Sequence, residues 1–175
     1  MRTHVISKKP EHLDWSQLPV AAIDHLLWTP EVGISAAAQI CYDENALYVH
    51  LSAKEEHIRA ENTGLLDQPC EDSCLEFFFS PIPGDDRYFN VEFNPNCCMY
   101  LGLGYNVDTL VRLLPEGGAP FNPKSTRTED GWAAEPILLP SGLMSGLVHA
   151  DAVVVCPENS EGLYAGEEVW AEILR

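Results

Sequence analysis

Basic residues are scarce in this chain: ten Lys and Arg stand against 27 Asp and Glu, a formal net charge of −17 over 175 residues. That shortage argues against nucleic acid, whose phosphates are bound by neutralising them with Lys and Arg. It disfavours anionic membranes and acidic polymers for the same reason, and leaves neutral ligands and cations open. Long apolar runs are missing too, and none approaches the roughly 18 residues a membrane span needs. The opening stretch "MRTHVISKKPEHLDW" has charge but no apolar core of a secretory signal, so a cytoplasmic address is expected. Six cysteines occur without a CxxC pair. Cys70, Cys74, Cys97 and Cys98 can be drawn as a thiolate site, but that spacing does not support one, and reduced, structural thiols are the expectation. GxSxG, HExxH and phosphate-cradling glycine loops are all absent.

What the chain does have is period-two alternation. "ALYVHLSA" (46–53) sets Leu47, Val49 and Leu51 against Tyr48, His50 and Ser52. "CLEFFFS" (74–80) sets Leu75, Phe77 and Phe79 against Cys74, Glu76 and Phe78, and "YFNVEFN" (88–94) sets Phe89, Val91 and Phe93 against Tyr88, Asn90, Glu92 and Asn94. "CMYLGLGY" (98–105) opposes Met99, Leu101 and Leu103 to Cys98, Tyr100, Gly102 and Gly104. Alternation of this kind predicts antiparallel strands with one buried and one wet face. Further strands are predicted near 34–42, 107–114, 132–138, 148–156 and 168–174, with turn-rich segments between them. Helical turns are predicted at 54–62 and 140–146. The expectation is an all-β, two-sheet antiparallel β-sandwich of immunoglobulin or jelly-roll type, with one or two short helical turns, forming a single domain over 1–175. Trp15, Trp28 and Trp132 sit among apolar neighbours and are expected in the core.

If 74–80 and 88–94 pair as a hairpin, their wet face carries Glu76, Tyr88, Asn90, Glu92 and Asn94. Should 46–53 and 107–114 join that sheet, Tyr48, His50, Asp108 and Arg112 extend the face, and Gly102 and Gly104 leave room above it. Carboxylates, amides and tyrosines in one patch are what a sugar site uses: rings pack on the apolar faces of pyranoses while polar groups bond their hydroxyls. The same patch also reads as the solvated face of an acidic protein. Glu71, Asp72, Asp85 and Asp86 offer hard oxygen donors that could serve calcium, although no EF-hand spacing supports them. Glu76 and Glu92 would face each other across the hairpin, as a glycoside hydrolase's carboxylate pair does.

In their order, "W…AAIDHLLW", "AAAQICYDENALYVHLSAKEEHIRA", "CEDSCLEFFFSP" and "YFNVEFNPNCCMYLGLG" resemble the family 9 carbohydrate-binding modules and their DOMON-related kin, over roughly residues 15 to 140. The resemblance implies a β-sandwich that binds sugar without catalysis, clamps it between aromatic rings, uses calcium to support the fold and often accompanies glycoside-degrading enzymes. Glu76 falls on the family's sugar-contacting strand acid. Cys70 stands where the family has a clamp tryptophan, Glu92 stands where it has an arginine, and Tyr164 or Trp170 offers a second ring. The sequence reading is thus non-catalytic binding of a neutral mono- or oligosaccharide linked to carbohydrate catabolism, through Glu76, Tyr88, Asn90, Glu92, Asn94, Tyr48, His50, Arg112 and Trp170. The alternatives are a diverged sandwich that serves as an interaction or structural module, and a glycoside hydrolase.

Overall fold

A computed structural model of the chain describes residues 4–25, 33–80, 84–114, 121, 123–140, 152–154 and 171–173. The larger sheet comprises β1 (Ser7–Lys8), β2 (Ala21–Ile23), β3 (Ser35–Tyr42), β4 (Ala46–Lys54), β9 (Ser125–Arg127) and β10 (Gly131–Pro140), in the order β1-β3-β4-β10-β9, with β2 also pairing β3. The smaller sheet runs β5 (Leu75–Phe79), β6 (Tyr88–Phe93), β7 (Met99–Gly104) and β8 (Val111–Arg112) in sequence order. A separate two-stranded ribbon pairs β11 (Ala152–Val154) with β12 (Ala171–Ile173). The only helical elements among the described residues are 3-10 turns at Trp15–Gln17, Pro69–Glu71 and Val107–Thr109.

The alternation explains the architecture. Val49 and Leu51 of β4, Trp132, Ala134, Ile137 and Leu139 of β10, Phe89, Val91 and Phe93 of β6, and Met99 and Leu101 of β7 form one buried cluster between the sheets. Each is the apolar member of its strand's alternating set, so burying one face of each sheet against the other hides all of them together. The apolar phase of β10 slips by one residue between Ala134 and Ile137, and the register shifts there against β4. Pro136, with no N–H to give a ladder, falls within this bulge, the place where a strand tolerates it.

Three expectations change. Residues 46–53 belong to the larger sheet, not to the sheet of the 74–80 hairpin. Residues 54–62 are irregular beyond Lys54 instead of helical, because side chains take up their backbone donors: Arg59 N–H bonds Ser73 Oγ at 3.0 Å, and Glu61 and Asn62 N–H bond Asp72 Oδ2 at 3.0 and 2.8 Å. The strand expected at 107–114 shortens to Val111–Arg112, since Asn106 and Thr109 form a capping box that starts a 3-10 turn instead. Of the helical turn expected over 140–146, residue 140 is instead the end of β10, and 141–146, together with Trp28, Tyr164 and Trp170, lie outside the described residues. The five described cysteines, Cys41, Cys70, Cys74, Cys97 and Cys98, are free.

Candidate functional site

The β5–β6 hairpin places Glu76 directly opposite Glu92, and β7 continues that row with Tyr100. One step along the strands, Phe78, Asn90, Gly102 and Arg112 form the next row across all four strands, followed by Tyr88 opposite Gly104. Residues paired across antiparallel strands share a face. These side chains therefore line the outer surface of the smaller sheet, with the phenylalanine core beneath.

Burial gives this face its chemistry. Asn90 and Glu92 are 5% and 8% exposed, while Phe78 is 53% exposed and its ring lies 5.8 Å from that of Tyr88. Asn90 Nδ2 donates to Glu92 Oε1 at 2.8 Å. Asn90 Oδ1 and Glu92 Oε2 are buried without a hydrogen-bond partner. Buried acceptors are normally satisfied, because an unpaired one costs the desolvation of that atom. Two such acceptors on neighbouring side chains form a place that asks for donors.

Burial pushes the Glu76 carboxyl above the usual glutamate range, and the charge of Glu92 across the hairpin adds to it. Burial also raises Glu92, against the opposing effects of the Asn90 amide, the Cys70 thiol and Arg112. A carboxyl whose folded pKa lies above its unfolded one favours the fold while protonated, and that contribution disappears as pH rises through the folded value. Glu92→Gln, which keeps an oxygen for Asn90 and cannot ionise, should therefore raise the melting temperature at pH 7 in the presence of a chelator. The gain should vanish near pH 3, below the unfolded glutamate pKa, where wild-type Glu92 is protonated in both states. Melting curves at the two pH values measure the difference, and an equal effect at both would remove the ionisation argument.

Tyr100 was not singled out from the sequence, although its place in "CMYLGLG" puts it on the Glu92 face. A Cβ added at Gly102 would come within 2.7 Å of the Tyr100 ring, so the space above Gly102 is occupied by that ring and is not open as expected. The Arg112 guanidinium lies 5.1 Å from the same ring's centroid. Arg112 also donates to the carbonyls of Leu66 (2.8 Å), Leu65 (3.1 Å), Asp67 (2.7 Å) and Met99 (3.4 Å), which ties the preceding loop to the sheet. Its Nη1 and Nη2 groups are thus engaged with backbone while the guanidinium packs against Tyr100. Gly102→Ala should displace this ring, costing about 1–2 kcal/mol through overpacking. Near-ultraviolet circular dichroism and urea unfolding read the two effects.

Other expected site residues stand elsewhere. Asn94 is fully buried; its amide donates to Asn62 O and Asp72 Oδ2, both at 2.8 Å, and its Oδ1 accepts from the N–H groups of Asn96 and Cys98. It shapes the β6–β7 turn and presents nothing to a ligand. Tyr48 and His50 point outward from β4 in the opposite sheet, on the far side of the sandwich. Tyr48 donates to Asp43 Oδ2 at 2.8 Å, while His50 contacts Gln39 Oε1 at 3.1 Å and lies 5.2 Å from the Trp15 ring. Asp108 is exposed in the 3-10 turn before β8.

The acids expected to suit calcium do not converge on one point. The side chain of Asp72 is fully buried and bonded to backbone and amide donors, with Arg59 Nε 3.6 Å from Oδ1. Asp85 is bound by Arg87, whose Nη2 lies 2.6 Å from Oδ2. The Asp72 side chain is buried and Asp85 is held by Arg87, whereas Glu71 and Asp86 are exposed. The segment before β5 brings up different donors. The Cys74 sulfur and one carboxylate oxygen from each of Glu76 and Glu92 lie within 4.8 Å of one another.

A two-sheet sandwich with a concentrated polar and aromatic patch on one sheet face is the form of a ligand-binding β-module. The model of carbohydrate-binding family 9 matches residues 7–114, more than half of the chain, and the protein belongs to that family. A second model, the MoeA C-terminal region (domain IV), matches residues 124–174. The described strands of that segment include β9 and β10, which are built into the larger sheet beside β4. Among solved structures, a protein from Bacteroides uniformis proposed to bind carbohydrate is similar in fold, with a TM-score of 0.65 and 21% identity over 83% of this chain and 74% of that one. No curated protein sequence matches the chain.

Proposed function

We propose that this protein binds a neutral mono- or oligosaccharide, without cleaving it, on the outer face of the smaller sheet. The observation that carries this reading is the pair of buried, unpartnered acceptors, Asn90 Oδ1 and Glu92 Oε2, on the floor of that face. Sugar hydroxyls are compact donors that can reach them, and a neutral polyol brings no negative charge into a strongly acidic protein. Phe78 and Tyr88 at one side and Tyr100 at the other supply rings for the apolar faces of a pyranose. Glu76, more exposed than Glu92, is placed to accept from a hydroxyl pair at the edge of the patch. Membership in a carbohydrate-binding family supports the ligand class.

Hydrolysis is the second reading, favoured by the opposed glutamates. A hydrolase needs one acid kept protonated while the other works ionised. Here burial moves both carboxyls upward, which suits a pair that shares protons better than one split into acid and base. We therefore assign binding, and expect no release of the aryl group from aryl glycosides.

The test is calorimetric titration of the reduced protein with a panel of neutral sugars, in EDTA and again with calcium. Saturable binding in the micromolar-to-millimolar range is expected. Glu76→Ala should weaken it roughly tenfold or more, the loss of a hydrogen bond to a charged acceptor. Undiminished affinity in that variant would move the site away from this face, and silence across the panel would favour an interaction module that has lost sugar binding.

A further inference from the structure

We propose that Cys74, Glu76 and Glu92 bind a thiophilic divalent cation of the zinc class. Their donor atoms lie within 4.8 Å of one another. A tetrahedral zinc ion holds sulfur at about 2.3 Å and oxygen at about 2.0 Å, which separates its ligands by roughly 3.5 Å. Three protein ligands leave a fourth position for water or another donor.

A second observation points to the same place independently of the clustering. Glu92 is 8% exposed, and its Oε2 meets no hydrogen-bond donor. Its other oxygen is held by the Asn90 amide at 2.8 Å. Such an outer hydrogen bond fixes a ligating carboxylate in direction while leaving its second oxygen for a metal. Arg112, the cation whose charge reaches Glu92, directs Nη1 and Nη2 to four backbone carbonyls. Among the described residues neither of the two opposed carboxylates has an ion-pair partner, and a divalent ion would supply the counter-charge.

The donor set decides among cations. A sulfur ligand and a low coordination number disfavour calcium and magnesium, which take six or more oxygens, and favour zinc and its congeners. Binding converts the Cys74 thiol to a metal-bound thiolate, and its proton leaves to solvent. Cys98 takes no part, since its Sγ contacts Gly64 O at 3.3 Å in another part of the loop. This inference goes beyond the sugar reading, although the two share Glu76 and Glu92.

Cobalt(II) is the probe, added to the reduced full chain without sugar and then displaced with zinc. One equivalent should bind, with a thiolate-to-cobalt charge-transfer band that one equivalent of zinc removes and excess calcium leaves in place. Cys74→Ser should abolish the band, and Glu92→Gln should weaken cobalt affinity tenfold or more. Absence of stoichiometric uptake would overturn the proposal, as would a band that persists undiminished in Cys74→Ser, because other thiols would then be the ligands. Should Cys74→Ser fail to fold by circular dichroism, Glu76→Gln and Glu92→Gln decide, and unchanged affinity in both would equally overturn it. The sugar titrations in EDTA proceed without metal, so failure of either reading leaves the other standing.

Discussion

Replacing Trp132 by Ala should cost about 4 kcal/mol, the largest loss expected from any single substitution considered for this fold. Trp132 is fully buried at the start of β10, within the cluster shared by the two sheets. Its removal empties an indole-sized volume that a pair of hydrogen-bonded sheets cannot collapse to fill. The indole is also a polar anchor: Nε1 donates to Glu55 Oε1 at 2.6 Å, and Glu55 Oε2 accepts from Ser73 Oγ at 2.9 Å. Ser73 Oγ in turn accepts the N–H of Arg59 at 3.0 Å. The chain of contacts runs from the core into the segment that delivers Cys74 and Glu76 to the site. Trp132→Phe keeps most of the apolar volume and removes the donor, so its cost should be smaller, about 1–2 kcal/mol. Urea unfolding with unchanged m-values would give both differences. Equal costs for the two variants would show that the hydrogen bond matters more than the ring. Losses under 1 kcal/mol in Ala would contradict the placement of Trp132 in the core.

The predicted strands agree with the structure where alternation was long. The sets in 74–80, 88–94 and 98–105 are now β5, β6 and β7, and the hairpin register that opposes Glu76 to Glu92 follows from them. Alternation cannot say which sheet a strand joins, because a strand buries one face in either sheet. That ambiguity is why Tyr48 and His50 were grouped with a face on the other side of the sandwich. Strands of two or three residues, such as β1, β2 and β9, are too short to carry a period. Arg112 was recognised as a residue of the face, but its backbone partners come from Leu65, Leu66 and Asp67, some 45 residues earlier. Asn94 alternates correctly with Phe93, yet it lies at the strand's end, where the turn closes over it. Tyr100 is legible by its position in the alternation, whereas Cys74 enters the sequence reading only within a four-cysteine set whose spacing does not support a thiolate site. Sequence thus placed the carboxylates, and tertiary closure selected which neighbours surround them.

The irregular segment between β4 and β5 depends on Asp72, and Asp72→Ala should cost about 3 kcal/mol, lowering the melting temperature by roughly 10 °C. The side chain is fully buried. Its Oδ2 accepts from Glu61 N at 3.0 Å, Asn62 N at 2.8 Å and Asn94 Nδ2 at 2.8 Å, so one atom closes the loop onto the β6–β7 turn. Burial by itself would raise this carboxyl; the donors from Asn62, Asn94 and Glu61 outweigh it and hold the pKa below the usual aspartate value. A lowered folded pKa stabilises the protein above the unfolded aspartate pKa, and that contribution is lost as pH falls through the folded value. Asp72→Asn should therefore flatten the acid limb of the stability profile, besides turning one acceptor into a donor that faces other donors. The two opposed sheets do not need this loop in order to pair, so the strand signal in circular dichroism should survive below the lowered melting temperature. The binding face should be affected all the same, since Cys70, Cys74 and Glu76 follow directly on either side of Asp72 in the chain. A variant that keeps wild-type stability would show that the loop is held by Asp67 and Arg112 without Asp72. One that loses stability together with sugar and cobalt binding would show that this buried carboxylate positions the face by gathering backbone donors.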